Sequence, residues 1–170
     1  MRKSLALSAL AIATMALSTA WATTSFTGNT APAGAHYSNG SREPVCSVDG
    51  LVVSCTGTAI GGVGNTDADL LLSVSYSATV QCRNNGGKIV NVKTQITTAG
   101  SSDDDTDVRN GTLFVSAISS SSPSEQSFKD AARCPNGNWD KLMASGSPTV
   151  SSYTYTLTFQ GYSLPAITLP

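Results

Sequence analysis

Alternation of apolar and polar residues dominates the segment DLLLSVSYSATVQC, Asp69 to Cys82. Leu70, Leu72, Val74, Tyr76, Ala78, Val80 and Cys82 fall on one side of a period-two pattern. Asp69, Ser73, Ser75, Ser77, Thr79 and Gln81 fall on the other, with Leu71 the exception. Successive side chains of a strand point to opposite faces, so this pattern predicts a long strand with one dry face and one wet face. The turn cluster RNNGGK (83–88) follows, then a second strand, IVNVKTQITTA, whose Val90, Val92 and Ile96 share a face.

Asn110-Gly111 leads into a third run, TLFVSAIS. Near the C-terminus VSSYTYTLTFQ sets Tyr153, Tyr155, Leu157 and Phe159 against Thr154, Thr156 and Thr158. SLPAITL offers a last strand that Pro165 confines to an edge or a bulge. PVCSV and LVVSC flank Asp49-Gly50 as a hairpin. Seven or eight strands with turn signals between them predict an all-β fold. The expected form is an antiparallel β-sandwich, immunoglobulin-like, with a barrel as the second architecture. One short helix is expected inside a long connection. Ser122 would be its N-cap, Pro123 its first residue and Glu125 its third, a capping box. Arg133-Cys134-Pro135 would stop it near Ala132.

Residues 1–22 are set apart from the fold. Arg2 and Lys3 precede a mostly apolar run of 13 residues, Leu5 to Leu17, and Ala20-Trp21-Ala22 supplies an A-x-A cleavage pattern. This is the form of a secretory signal peptide, too short to span a membrane. No cysteine follows the cut, which argues against a lipid anchor. Residues 23–43 read as a loose N-terminal arm and 44–170 as the domain. The expected location is secreted or extracellular, or periplasmic where the cell has an outer membrane.

Composition sharpens this picture. Serine and threonine supply 40 of residues 23–170, interleaved with Val, Leu, Ile, Tyr and Phe, which suits strands with a wet face better than a disordered tail. The same residues hold 8 basic and 11 acidic side chains, a formal charge of −3. Nucleic acid and anionic membranes attract basic faces, so neither is an expected partner. No other apolar run is long enough to span a membrane.

Four cysteines in an exported chain point to disulfides and allow three pairings. If Asp49-Gly50 formed the turn, Cys46 would face Val53; if Gly50-Leu51 form it, Cys46 faces Cys55 directly. Glycine at the first central position is what a type II′ turn requires. Cys46 with Cys55, favoured because they occupy opposite arms of one hairpin, and Cys82 with Cys134 are the expected framework, and the first bridge selects the Gly50-Leu51 turn. No C-x-x-C occurs and His36 is the sole histidine, so no zinc site is expected.

Enzyme motifs are missing: there is no G-x-S-x-G, H-E-x-x-H or S-x-x-K. The glycine-rich GTAIGGVG follows a hairpin strand and precedes NTDAD, which makes it a connection and not a phosphate loop. His36 sits in the loose-looking APAGAHYSNG, and Asp67 with Asp69 reads as the solvated start of a strand. Trp139 is expected as a plug over the second disulfide, with a sugar platform as its alternative role. LPAIT (164–168) lacks the glycine, apolar tail and basic end of a sortase signal. The chain is therefore read as non-enzymatic.

One stretch concentrates charge: Asp103, Asp105 and Asp107 alternate, with Asp104 between them. Calcium takes six to eight oxygens, and three carboxylates in a tight loop make these the candidate metal ligands. The helix-loop-helix calcium pattern fails, since its sixth position is Val108 and its twelfth Phe114. A solvated hairpin loop ended by Asn110-Gly111, without cofactor, is the expected reading, with calcium its alternative.

The leader, the C-x8-C hairpin, GVGNTDADLLLSVSYSATVQC and the RCPNGNW element together resemble small secreted bacterial proteins with a single immunoglobulin-like sandwich. That resemblance implies a fold and a location but no activity, so no functional residue transfers. A weaker likeness is to pilus subunits assembled by the chaperone–usher route, which need a donor strand in the N-terminal arm. Residues 23–37 lack sustained alternation and contain Pro32, against such a strand. The expected function is a binding or structural role outside the cell through an unknown ligand or surface partner. A pilin-like subunit and a weak carbohydrate-binding module are the alternatives.

Overall fold

The computed structural model describes residues 22–102 and 106–170. The expected leader, apart from Ala22, lies outside them, as do Asp103, Asp104 and Asp105. Among the described residues the chain forms strands β1 (Thr23–Thr24), β2 (His36–Tyr37), β3 (Cys46–Asp49), β4 (Val52–Cys55), β5 (Thr58–Gly61), β6 (Ala68–Arg83), β7 (Ile89–Ser102), β8 (Thr106–Arg109), β9 (Thr112–Val115) and β10 (Ile118–Ser119). Helix α1 (Glu125–Ala131) and strands β11 (Asp140–Met143), β12 (Thr149–Phe159) and β13 (Ile167–Leu169) complete it. The fold is all-β and antiparallel, with one short helix.

β6 is the spine. Its alternation is realised residue by residue: Leu70, Leu72, Val74, Tyr76, Ala78, Val80 and Cys82 are buried, and Leu71 is exposed. β7 pairs with it from Leu70↔Ser102 to Arg83↔Ile89 without a register shift. The opposite edge is shared by β12, over Ala68–Ser77, and β11, over Val80–Arg83. Between these partners Thr79 loses nothing: its carbonyl accepts from Ala144 N–H at 2.9 Å and its N–H donates to Ser147 Oγ at 3.0 Å. Ser147 thus completes the ladder where the partner strand changes. Beyond β12 lie β13 and then β1, and Pro165 stays ahead of β13 where no ladder donor is needed.

Where two sheets are expected there are three. β10-β4-β3 and β2-β5-β9-β8 form separate sheets beside the large one. TLFVSAIS accordingly divides between β9 and β10. Both small sheets keep one register: Ser54 faces Ser119 and Cys55 faces Ile118, then Thr58 faces Val115 and Gly61 faces Thr112. They are one antiparallel pairing interrupted where Thr56-Gly57 passes Ser116-Ala117. A Cβ on Gly57 would lie 2.5 Å from the Val115 carbonyl oxygen, so only glycine permits this crossing.

The helix starts two residues later than its sequence signal. Ser124, extended at φ −69° and ψ 156°, is the N-cap, and its hydroxyl accepts from Ser127 N–H at 3.2 Å. Pro123 therefore precedes the cap, and Ser122 lies outside the helix. Phe128 is the helix's buried anchor. It joins a core drawn from all three sheets, including Val53, Ile60, Leu113, Leu157 and Ile167. Residues 23–43 are held at several points: β1 pairs with β13, β2 pairs with β5, and Thr30 and Ala31 are buried.

Candidate functional site

Covalent chemistry comes first. The β3–β4 hairpin pairs Asp49 with Val52, so Gly50 and Leu51 are its turn residues, and Gly50 has the positive φ (57°) of a type II′ first position. This register sets Cys46 opposite Cys55, and the two are bridged. Cys82, on the buried face of β6, is bridged to Cys134 just after α1, at a Cα separation of 5.7 Å. No described cysteine is free. Two disulfides suit an oxidising, extracytoplasmic compartment. No helix among the described residues is long and apolar enough to cross a membrane.

The candidate cation ligands do not come together in the described part of the chain. Asp103 and Asp105 lie outside it. The Asp107 carboxylate is taken by Arg109, whose Nε donates to Oδ2 at 2.6 Å. No described cluster of three or more metal-ligating side chains occurs. Asp67 serves the backbone: its Oδ1 accepts from Ala68 N–H at 2.8 Å and lies 2.9 Å from Thr106 Oγ1. Asp69, on the outer face of β6 opposite Thr158, is exposed.

His36 Nδ1 lies 2.7 Å from the Gly34 carbonyl oxygen, which can only accept, so Nδ1 is the donor. Its ring lies against Gly61, where a Cβ would come 3.1 Å from Nε2. No described serine or carboxylate is hydrogen-bonded to the ring. Trp139 is half-buried, its backbone N–H donating to the Asn136 carbonyl at 3.2 Å.

A second polar group closes the arm. Tyr37 OH and Thr24 Oγ1 are 2.7 Å apart, and the Thr24 hydroxyl donates to the Glu43 carboxylate. Burial pushes the Tyr37 phenol above its ordinary range; the Thr24 hydrogen bond opposes this and the Glu43 charge adds to it. Tyr155, fully buried on β12, is pushed up chiefly by burial and further by Tyr37, and its OH has no described partner.

What remains is a surface. The outer face of the large sheet carries Ser73, Ser75, Ser77 and Thr79 on β6, and Thr154, Thr156 and Thr158 on β12. Register brings their hydroxyls together: Ser75 Oγ lies 2.9 Å from Thr97 Oγ1, and Ser77 Oγ lies 3.2 Å from Thr149 Oγ1. Thr23, Thr168, Thr156 and Leu71 form one row across four strands. Charge is confined to Lys93 on β7 and to Asp69, Arg83 and Asp140 near the ends. The alternation foretold a wet face; the joining of strands far apart in sequence into one hydroxyl field needs the sheet order.

A pocket of about 80 Å³ between β7 and the chain after β10, lined by Leu72, Gly100 and Ile118 among others, is too small for a drug-sized ligand. No family model, curated protein or solved structure matches the chain.

Proposed function

We propose that this chain is an exported, non-enzymatic protein with an immunoglobulin-like sandwich, acting as a structural or binding component at the cell surface or outside the cell. The single observation that carries the reading is the hydroxyl face of the large sheet. Short hydroxyl side chains both donate and accept and hold little rotamer entropy, so they suit a hydrated polyhydroxyl surface. The common register of the two small sheets supports a second layer facing β6, and the two disulfides support export.

The pilin-like alternative has less support. It asks for an arm that leaves its own domain to complete a neighbour, whereas Thr23–Thr24 and His36–Tyr37 pair within this chain and Ala31 is buried in it.

Expression of the full-length chain in a bacterium tests the reading, with mass spectrometry of the extracytoplasmic fraction. The expected species begins at Thr23 and carries no free thiol. Incubated with insoluble polysaccharides it should be depleted from solution, less so for Ser73→Lys/Thr156→Lys. A full-length cytosolic species with four free thiols would overturn export. Equal depletion by both forms would remove the hydroxyl face from the proposal.

A further inference from the structure

Among the described residues β7 has one edge partnered by β6 and one edge with no strand on it. Asn84 N–H donates to the Lys88 carbonyl at 3.0 Å, which identifies that pair as hydrogen-bonded. Antiparallel pairs alternate between hydrogen-bonded and non-hydrogen-bonded types, and the β6–β7 register is unbroken. The even residues of β7, from Val90 onward, therefore exchange bonds with β6. The other side of β6 agrees, since the carbonyls of Thr79 and of Asp67, just ahead of the strand, accept from Ala144 and Gln160. Ile89, Asn91, Lys93, Gln95, Thr97 and Ala99 consequently direct their N–H and C=O groups outward, and no described backbone group meets them.

Such an edge invites strand pairing unless proline, bulges, short length or charge blunt it. β7 has 14 residues, no proline, no bulge and a single charged side chain, Lys93. The backbone groups specify the occupant as an extended strand, and the side chains favour a second β7. In a two-fold antiparallel pairing centred on Thr94, Val92 of one copy faces Ile96 of the other, and Ile89 faces Ala99. Asn91 faces Thr97 and Lys93 faces Gln95. Apolar meets apolar and polar meets polar at every pair between 89 and 99 except Val90 with Thr98. Val92 and Ile96 are half-buried at this edge and Ile89 is 52% exposed, so the pairing covers apolar surface. Centring on Lys93 sets that residue against itself; centring on Gln95 sets Val92 against Thr98 and Thr94 against Ile96.

We infer that the chain forms a two-fold dimer by antiparallel β7–β7 pairing centred on Thr94, joining the two large sheets into one. The inference is independent of the role given to the hydroxyl face.

Sedimentation of the secreted, disulfide-bonded chain over a concentration series up to about 1 mM, the weak end for specific association, reads the dimer constant. Gln95→Lys puts two lysine pairs directly opposite one another and should weaken the dimer roughly two- to thirtyfold; Gln95→Glu should strengthen it over the same range. Gln95 is exposed, so neither change threatens the fold. Gln95→Pro removes an outward N–H, leaves the β6 ladder intact and should give a folded monomer. In the wild type, amides 91, 93, 95 and 97 should exchange slowly with solvent deuterium at high concentration and quickly on dilution. A monomer at all concentrations, a dimer in which the two charge variants shift the same way, or a dimer whose β7 amides exchange freely would overturn the inference.

Discussion

The Thr106 hydroxyl lies 2.9 Å from the Asp67 carboxylate and 2.8 Å from the Ala68 carbonyl, tying the first strand after the acidic stretch to the start of β6. Thr106 is buried, so its single proton is shared between the half-buried Asp67 carboxylate and the carbonyl of buried Ala68. Thr106→Val keeps the shape and removes the donor. Leaving a buried acceptor unmet costs about 1–3 kcal/mol. Urea unfolding should show that loss with an unchanged slope, and Thr106→Ser should recover most of it.

The two faces of β6 give a paired expectation. Val74 is 0% exposed, whereas Ser75 faces the hydroxyl field. Val74→Asp would bury an unpaired carboxylate, at a cost of several kcal/mol, comparable to the whole stability of a domain this size. Ser75→Asp sits in water and should cost within about 0.5 kcal/mol. The yield of folded secreted protein should fall to background for the first and stay near wild type for the second.

The bridges close loops of different length. Cys46–Cys55 spans 9 residues in sequence and Cys82–Cys134 spans 52. Chain-entropy estimates put their contributions near 2.7 and 4 kcal/mol, roughly and before strain. Replacing each pair by alanine should lower the urea midpoint more for Cys82/Cys134, whose bridge also anchors the segment after α1. The reverse order would mean that the longer bridge is offset by strain.

Local patterns in this chain were legible where one strand carried the whole message. Asp69–Cys82 announces both faces of β6, and Gly50 together with the Cys46/Cys55 spacing announces the hairpin register, because each signal rests on period or turn chemistry within a few residues. The sheet arrangement was not legible for the opposite reason. The break at Gly57 depends on the carbonyl of Val115, 58 positions away in sequence. Ser124 stands as the N-cap in place of Ser122: two serines flank Pro123, and the local cap signal does not separate them. The hydroxyl field and the open β7 edge arise from strand order, which no single segment encodes.

Tyr155 ties stability to alkaline pH. Its buried hydroxyl has no described partner, and its folded pKa is raised. Below about pH 10 the folded and unfolded chains both hold the proton. Above it the unfolded chain releases the proton first, so this contribution is lost as pH rises, at up to about 1.4 kcal/mol per unit. Tyr155→Phe should be neutral, or stabilising by about 1 kcal/mol, at pH 7. It should also flatten the fall in stability between about pH 10 and 12, leaving a contribution of the same sign from Tyr37, which is raised in the same direction. Unfolding followed by far-ultraviolet dichroism at several pH values measures both effects.

The acidic stretch yields the last expectation. Calcium sites of useful affinity assemble six to eight oxygens, and charge count tunes their strength. Of the three alternate carboxylates, Asp107 already accepts from Arg109 at 2.6 Å, so metal binding would have to displace a guanidinium. Asp67, the next carboxylate tied to β8, is engaged with the Ala68 N–H and the Thr106 hydroxyl. Calorimetric titration should therefore show no calcium binding tighter than about 1 mM, the weak end for extracellular modules. Arg109→Ala frees the Asp107 carboxylate and removes a cation, so it should move any residual binding toward higher affinity. A micromolar site in the wild type, abolished by Asp103→Asn/Asp105→Asn, would replace the solvated-loop reading with a calcium-bound one.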